Sequence, residues 1–128
     1  MNIDEFKSPG KKFRTCYRDV YHDIRDHDSL GLFTSIIDTF LASFAIGFHT
    51  NSRTPLGSNS INHTNMPYID NDTQDLIILL MAERHPDLES ADDLWNMVEE
   101  YAESGIVTLH DSIARTEWLL DISDLLGD

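Results

Sequence analysis

Side chains that could bind a metal ion occur early in the sequence, but their spacing does not match a known metal site. His22 and Asp26 are four residues apart, as are Asp23 and His27, so each pair would share one face of a helix. Zinc hydrolases use a His-Glu-x-x-His arrangement instead. The pattern is typical of a solvated helix face, and we predict no metal site.

Covalent, hydrolytic and phosphate-binding chemistry is not indicated either. Metal-dependent nucleases gather carboxylates around an ion, commonly beside a lysine, whereas all three lysines lie in residues 7–12. The one cysteine, Cys16, is more typical of an inert thiol than of a nucleophile. Gly47 and Gly57 are isolated, so there is no glycine-rich phosphate loop. We therefore expect neither an enzyme nor a bound cofactor.

Basic residues cluster near the N-terminus, interleaved with Phe13 and Tyr17. Such a basic edge could contact nucleic-acid phosphates. The same cations could equally pair with acids on their own helix or in the second half of the chain. On the first hypothesis the nucleic-acid-binding residues are Lys11, Lys12, Arg14 and Arg18.

Charge is distributed unevenly along the chain. Residues 1–53 are neutral overall, whereas residues 54–128 hold two cations and sixteen acids, which gives a net charge of −14. Three interpretations stay open: a solvated surface that keeps the protein soluble, a halophile surface, and a DNA-mimicking surface. The halophile interpretation is favoured by an excess of Asp over Glu, sixteen to seven, as in haloarchaeal proteins.

The length of 128 residues predicts a single domain. We assign residues 1–12 to a flexible N-terminal segment and residues 13–126 to one helical domain. The N-terminus lacks the apolar stretch of a secretory signal, and no apolar run approaches the ~20 residues that span a bilayer. We expect a cytoplasmic protein without membrane contact.

The domain is organised around residues 33–48, where large apolar residues recur at helical spacing. Ser35 is expected to cap this helix and Gly47 to end it. A first helix is expected over 13–27, a third over 73–85 with its apolar run buried on most sides, a fourth from Ser90, and a short last helix near the C-terminus. Gly105 is expected to allow a neighbour to approach closely.

These elements predict an all-α fold, a compact bundle of about five helices. A long polar loop, residues 49–71, separates the second and third helices, and it is the one place where a short β-hairpin is allowed. The predicted core is Phe33, Ile36, Ile37, Phe40, Leu41, Phe44, Phe48, Leu76, Leu79, Leu80, Leu94, Val98, Tyr101, Leu109 and Leu119.

Two segments carry a resemblance to a known family. The first is Gly47-Phe48 followed by a polar turn to Arg53-Thr54-Pro55-Leu56, and the second is residues 99–106, EEYAESGI. With the order of the helices over about 13–126, they resemble Dnd system-associated protein 4, a small family associated with DNA phosphorothioation systems. Neither segment is a catalytic signature.

The resemblance implies an accessory role in prokaryotic antiviral defence, beside enzymes that put sulfur on the DNA backbone or restrict unmodified DNA. We therefore expect a non-catalytic interaction subunit whose partners are protein subunits of a defence complex. Arg53, Leu56 and Tyr68 in the long loop are the predicted partner contacts. The alternative is a nucleic-acid-linked regulator, either DNA-binding or DNA-mimicking, and homo-oligomer formation stays open.

Overall fold

The computed structural model describes residues 2–8, 12–26, 35–65 and 69–126, of which 64–65 and 116–126 are described by their backbone alone. In chain order the elements are a 3-10 turn (Ile3–Phe6), strand β1 (Lys12–Thr15), helix α1 (Arg18–Asp26), helix α2 (Ile36–His49), strand β2 (Ile61–Asn65), helix α3 (Asn71–Arg84) and helix α4 (Ala91–Leu126). The predicted predominance of helix is confirmed. The all-α class is corrected by the two strands, and the two expected C-terminal helices are one continuous α4.

Helix starts follow the capping signals in the sequence. The Ser35 hydroxyl accepts a hydrogen bond from the Asp38 amide at 3.1 Å, as predicted. Ser90 does the same for the Asp93 amide at the start of α4, also at 3.1 Å. Helix α3 begins slightly earlier than expected because Asp70 is its cap.

Helices α2 and α4 cross at very short distance, and this crossing is the centre of the fold. A Cβ atom added at Gly105 would lie 1.7 Å from the Ser43 carbonyl oxygen, and one at Gly47 would lie 2.0 Å from the Tyr101 carbonyl oxygen. Both glycines are therefore needed for close backbone approach. The expected role of Gly105 is confirmed.

The expected role of Gly47 as the residue that ends the helix is wrong. Helix α2 continues to His49, and Thr50 is its C-cap. The left-handed conformation is adopted by Asn51, at φ 52°. Gly47 lies inside the helix because the backbone of Tyr101 occupies the space of a side chain there.

The predicted helix over 13–27 is corrected to a strand followed by the shorter α1. Strand β1 pairs antiparallel with β2, so the strand in the long loop, where a short hairpin was allowed, pairs with a distant segment. Buried carboxylates of α4 hold β1 in place: Glu99 accepts from the Arg14 amide, and Glu103 accepts from the Cys16 amide at 2.9 Å. These contacts, more than 80 residues away in sequence, favour the strand over a longer helix.

The core assignment is confirmed for most of α2 and α4 and corrected on α3. Leu76 and Leu79 are 58% and 52% exposed, because α3 turns Ile77, Ile78 and Met81 inward instead. Leu41, Phe48 and Leu80 are half-buried, while Phe33 and the Leu119 side chain lie outside the described residues. The predicted core residues that are buried are Ile36, Ile37, Phe40, Phe44, Leu94, Val98, Tyr101 and Leu109.

The segment before β1 also contacts the domain. Phe6 is buried, its carbonyl accepts a hydrogen bond from the Trp95 indole at 2.7 Å, and Lys7 pairs with Asp75 on α3. Within the part of the chain described, no helix combines the length and apolar character needed to cross a bilayer.

Candidate functional site

Arg53 lies in a loop that is hydrogen-bonded to α4. The Thr54 amide donates to the Glu100 carbonyl at 3.0 Å, and the Ser52 and Ser104 hydroxyls are 2.7 Å apart. Because hydrogen bonds on both sides of Arg53 fix the backbone, its side chain is presented at a defined place beside α4. The first residues of the predicted long loop are thus part of the helical body.

The buried ring of Tyr101 contacts several residues of the candidate site. The guanidinium carbons of Arg53 and Arg84 lie 5.8 Å and 5.9 Å from its centroid. The Tyr101 hydroxyl is 2.7 Å from His85 Nε2 and donates to the Asn51 side chain at 3.4 Å. The ring and its hydroxyl therefore position groups from the α2–β2 loop and from the end of α3.

Arg84 is held by a second aromatic ring. Its guanidinium carbon is 3.5 Å from the Phe48 centroid, within the range of a cation–π interaction, and Nη1 donates to the Phe48 carbonyl. Next to it, burial lowers the pKa of His85, and the charges of Arg53 and Arg84 lower it further. This shift favours the neutral form of His85, so the positive charge here comes mainly from the arginines.

Arg53, Arg84 and His85 line a cleft of about 540 Å³ between the end of α3 and α4. Its carboxylates offset the two guanidiniums, and Glu100 lies 3.5 Å from Arg53. Chemically the cleft offers oriented guanidinium donors beside acceptors, which suits the binding of a charged group. The lining residues are Arg53, Arg84, His85, Pro86, Asp87, Leu88, Asp93, Asn96, Met97 and Glu100.

Helix α3, whose end borders the cleft, also carries an exposed apolar surface. Leu76 and Leu79 are more than half exposed and are one helical turn apart. A groove of about 340 Å³ lies near the end of the same helix, and Arg84 lines both this groove and the cleft. Its lining residues are Phe48, Leu80, Glu83 and Arg84.

The predicted partner contacts are only partly brought together. Arg53 lines the cleft, Leu56 is half-buried outside its lining, and Tyr68 is not among the described residues. The sequence alone does not predict that Arg84 and His85 take part. The one available signal is that Arg84 is one of two cations in the acidic half.

The residues of the predicted basic edge do not share one surface in the fold. Lys12 and Arg18 are exposed, whereas the Arg14 guanidinium turns to α4, where Nη2 is 3.1 Å from the Glu99 carboxylate. Lys11 lies outside the described residues. Arg14 is therefore an internal ion-pair partner.

Further cations complete a basic cluster around His63 on β2. Its ring stacks on Phe13 and on His22, with centroids 5.4 Å and 5.0 Å apart. Burial lowers the pKa of His63 to about 4, and the charges of nearby residues act in the same direction. Those residues are His22, Arg18, Arg25 and Lys12.

His27, one of the residues considered for a metal site, lies outside the described residues, whereas His22 and Asp23 have other side-chain partners. Arg18 Nε donates to His22 at 3.5 Å, and Asp23 lies 3.0 Å from His110. Cys16 is exposed. Among the residues that the structure describes, no three His, Cys, Asp or Glu side chains are grouped as ligands for an ion.

No protein-family model, curated protein or solved structure matches this chain.

Proposed function

We propose that the protein is a cytoplasmic, non-catalytic interaction subunit of a DNA-phosphorothioation-linked defence system and that it binds another protein of that system. The observation that carries this proposal is the exposure of Leu76 and Leu79 on α3. Single exposed leucines are common, but two on successive turns beside a groove form a surface suited to a protein partner. The same groove contains the half-buried Phe48.

The link to a defence system rests on the resemblance of residues 47–56 and 99–106 to Dnd system-associated protein 4. In support of it, these two segments pack directly against each other. Gly47 contacts Tyr101 by backbone, and the Thr54 amide donates to the Glu100 carbonyl. The features that carry the resemblance therefore form one structural unit, as expected if they describe a shared fold.

Copurification tests the proposal. The tagged full chain is coexpressed with the proteins that put sulfur on DNA and with those that restrict unmodified DNA. We expect one of them to copurify. Copurification of none of these proteins would overturn the proposal.

A pair of variants tests the surface. Full burial of a leucine contributes about 1.5–3 kcal/mol, so we assign about 1 kcal/mol to each half-exposed side chain. The double variant Leu76→Ser/Leu79→Ser should then bind about thirtyfold more weakly, while its free energy of unfolding should fall by less than about 2 kcal/mol. Val107→Ser is the matched control, since Val107 is 41% exposed on α4. Equal binding by the double variant and the wild type would rule out this surface.

A second candidate function, direct DNA binding, is favoured by the basic cluster around His63. Lys12 and Arg18 are exposed there, and Arg25 adds a third cation. Fluorescence anisotropy with duplex DNA at several salt concentrations tests this candidate. Binding that weakens steeply with salt, and further in Lys12→Gln/Arg18→Gln, would support it. A DNA-mimicking protein would bind no DNA at any salt concentration.

A further inference from the structure

The cleft beside Tyr101 is lined by two arginines, although its other charged side chains are acidic. Arg84 is one of the two cations among residues 54–128. Arg53 comes from the neutral half, and the loop before α3 brings it to the same ring. Both guanidinium carbons lie within 6 Å of its centroid, and both side chains line the same cleft.

Both guanidiniums retain hydrogen-bonding capacity within the described residues. An arginine carries five N–H donors, and Arg84 directs Nη1 to the Phe48 carbonyl. Arg53 is 3.5 Å from Glu100, longer than the 2.7–2.9 Å of a strong charge-assisted hydrogen bond. Its side chain is 39% exposed, so a ligand can reach it.

The acidic residues of the cleft restrict what can bind. Asp87, Asp93 and Glu100 also line it, so three carboxylates face two guanidiniums and the formal charge of the lining is −1 with His85 neutral. A phosphate dianion or a polyanion would be repelled by these carboxylates and by the net charge of −14. A single carboxylate beside a cationic group can instead contact both kinds of side chain.

We propose that the cleft binds the carboxylate of an acidic residue of a partner protein, with a neighbouring basic residue of that partner facing Asp87 and Asp93. This inference rests on the proposed function, whose partner it describes chemically. The groove at Phe48 and Leu80 adjoins the cleft at Arg84. A partner segment can therefore place an apolar side chain in the groove and its acidic residue in the cleft.

Peptide probes on the isolated full chain test the proposal. The probe is N-acetyl-Glu-Lys-amide, and binding is followed by the NMR signals of the arginine Nε–H groups. We expect the Arg53 and Arg84 signals to shift and the Arg115 signal to stay in place. N-acetyl-Gln-Lys-amide should bind about tenfold more weakly, since it removes one charge-assisted interaction. N-acetyl-Glu-Gln-amide should also bind more weakly.

Variants and a second anion complete the test. Arg53→Gln should weaken binding of the Glu-Lys probe about tenfold, while the matched control Arg115→Gln, an exposed position on α4, should not change it. Arg53 is chosen because Arg84 also packs on Phe48, so its replacement could disturb the fold. Equal binding of the Gln and Glu probes, or tighter binding of inorganic phosphate, would overturn the proposal.

The two proposals can fail separately. The peptide titration needs no defence protein, so absence of copurification would not affect it. Conversely, if the peptide probes do not bind in the cleft, the proposed binding of a partner through Leu76 and Leu79 is not affected.

Discussion

Gly47 on α2 lies against the main-chain carbonyl of Tyr101 on α4, so closely that an added Cβ atom would be 2.0 Å from the oxygen. The contact is repeated one turn away, where a Cβ atom added at Gly105 would lie 1.7 Å from the Ser43 carbonyl oxygen. Backbone, which cannot move aside as a side chain can, occupies the space at both positions. The crossing therefore sets the position of the Tyr101 ring and of the arginines around it.

Gly47→Ala should destabilise the protein by about 2–3 kcal/mol, because the added methyl group forces two packed helices apart. Alanine would otherwise favour an α-helix over glycine by ~1 kcal/mol, so the sign of the change is diagnostic. Urea unfolding followed by circular dichroism measures it. Gly57→Ala is the control, since nothing lies within 4 Å of its added Cβ. Equal stability of Gly47→Ala and the wild type would contradict the described crossing.

Local signals in the sequence are sufficient to predict α2 and the starts of α2 and α4. The spacing of apolar residues identified α2, and Ser35 and Ser90 were recognisable as caps. The end of α2 was not predictable in the same way. A glycine near the end of an apolar run has the same local pattern whether it ends the helix or, as for Gly47, makes room for another one.

Strand β1 and the cleft depend on residues that are distant in sequence, and local sequence patterns do not predict them. Strand β1 has only four residues, and their pattern fits the start of a helix equally well. Its conformation depends on Glu99, Glu103 and β2, which no local pattern reveals. The cleft is similar: Arg53 is predicted as a partner contact, but its position beside Arg84 depends on the hydrogen bonds that Ser52 and Thr54 form with α4.

Replacing Phe40 should cost far more stability than replacing Leu79. Phe40 is fully buried and stacks on Phe13 with centroids 4.2 Å apart, so Phe40→Ala should lose about 3–5 kcal/mol. Leu79 is 52% exposed, and Leu79→Ala should change stability by less than about 1 kcal/mol. Thermal and urea unfolding of both variants make the comparison. Equal losses would show that the buried faces of α2 and α3 are misassigned.

Glu99→Gln should weaken the docking of β1 on α4. The Glu99 side chain is fully buried and accepts from both the amide and the guanidinium of Arg14. Breaking a buried ion pair costs about 3–5 kcal/mol. The Arg14 side chain is 38% exposed and partly solvated, so we expect a loss of about 2–3 kcal/mol.

Urea unfolding of Glu99→Gln and of Glu89→Gln tests this role. Glu89 is exposed just before α4, and its substitution should change stability by less than about 0.5 kcal/mol. Equal stability of the two variants would mean that the Glu99 carboxylate does not hold the strand.

Acid should destabilise the fold through His63. Its pKa is lowered to about 4 by burial and by nearby positive charges, whereas an unfolded histidine titrates near 6.5. Between these pH values the unfolded chain binds the proton more readily, so stability rises with pH. The contribution of His63 is therefore fully present above about pH 6.5 and is lost as the pH falls toward 4.

His63→Phe separates this effect from the titration of other groups. Phenylalanine can keep the stacking on Phe13, whose ring is tilted 13° from that of His63, but it binds no proton. Urea midpoints at about pH 7.5 and 5 should therefore differ less in His63→Phe than in the wild type. Carboxylates titrate in both proteins and largely cancel in the comparison. The same pH dependence in His63→Phe as in the wild type would contradict the assignment.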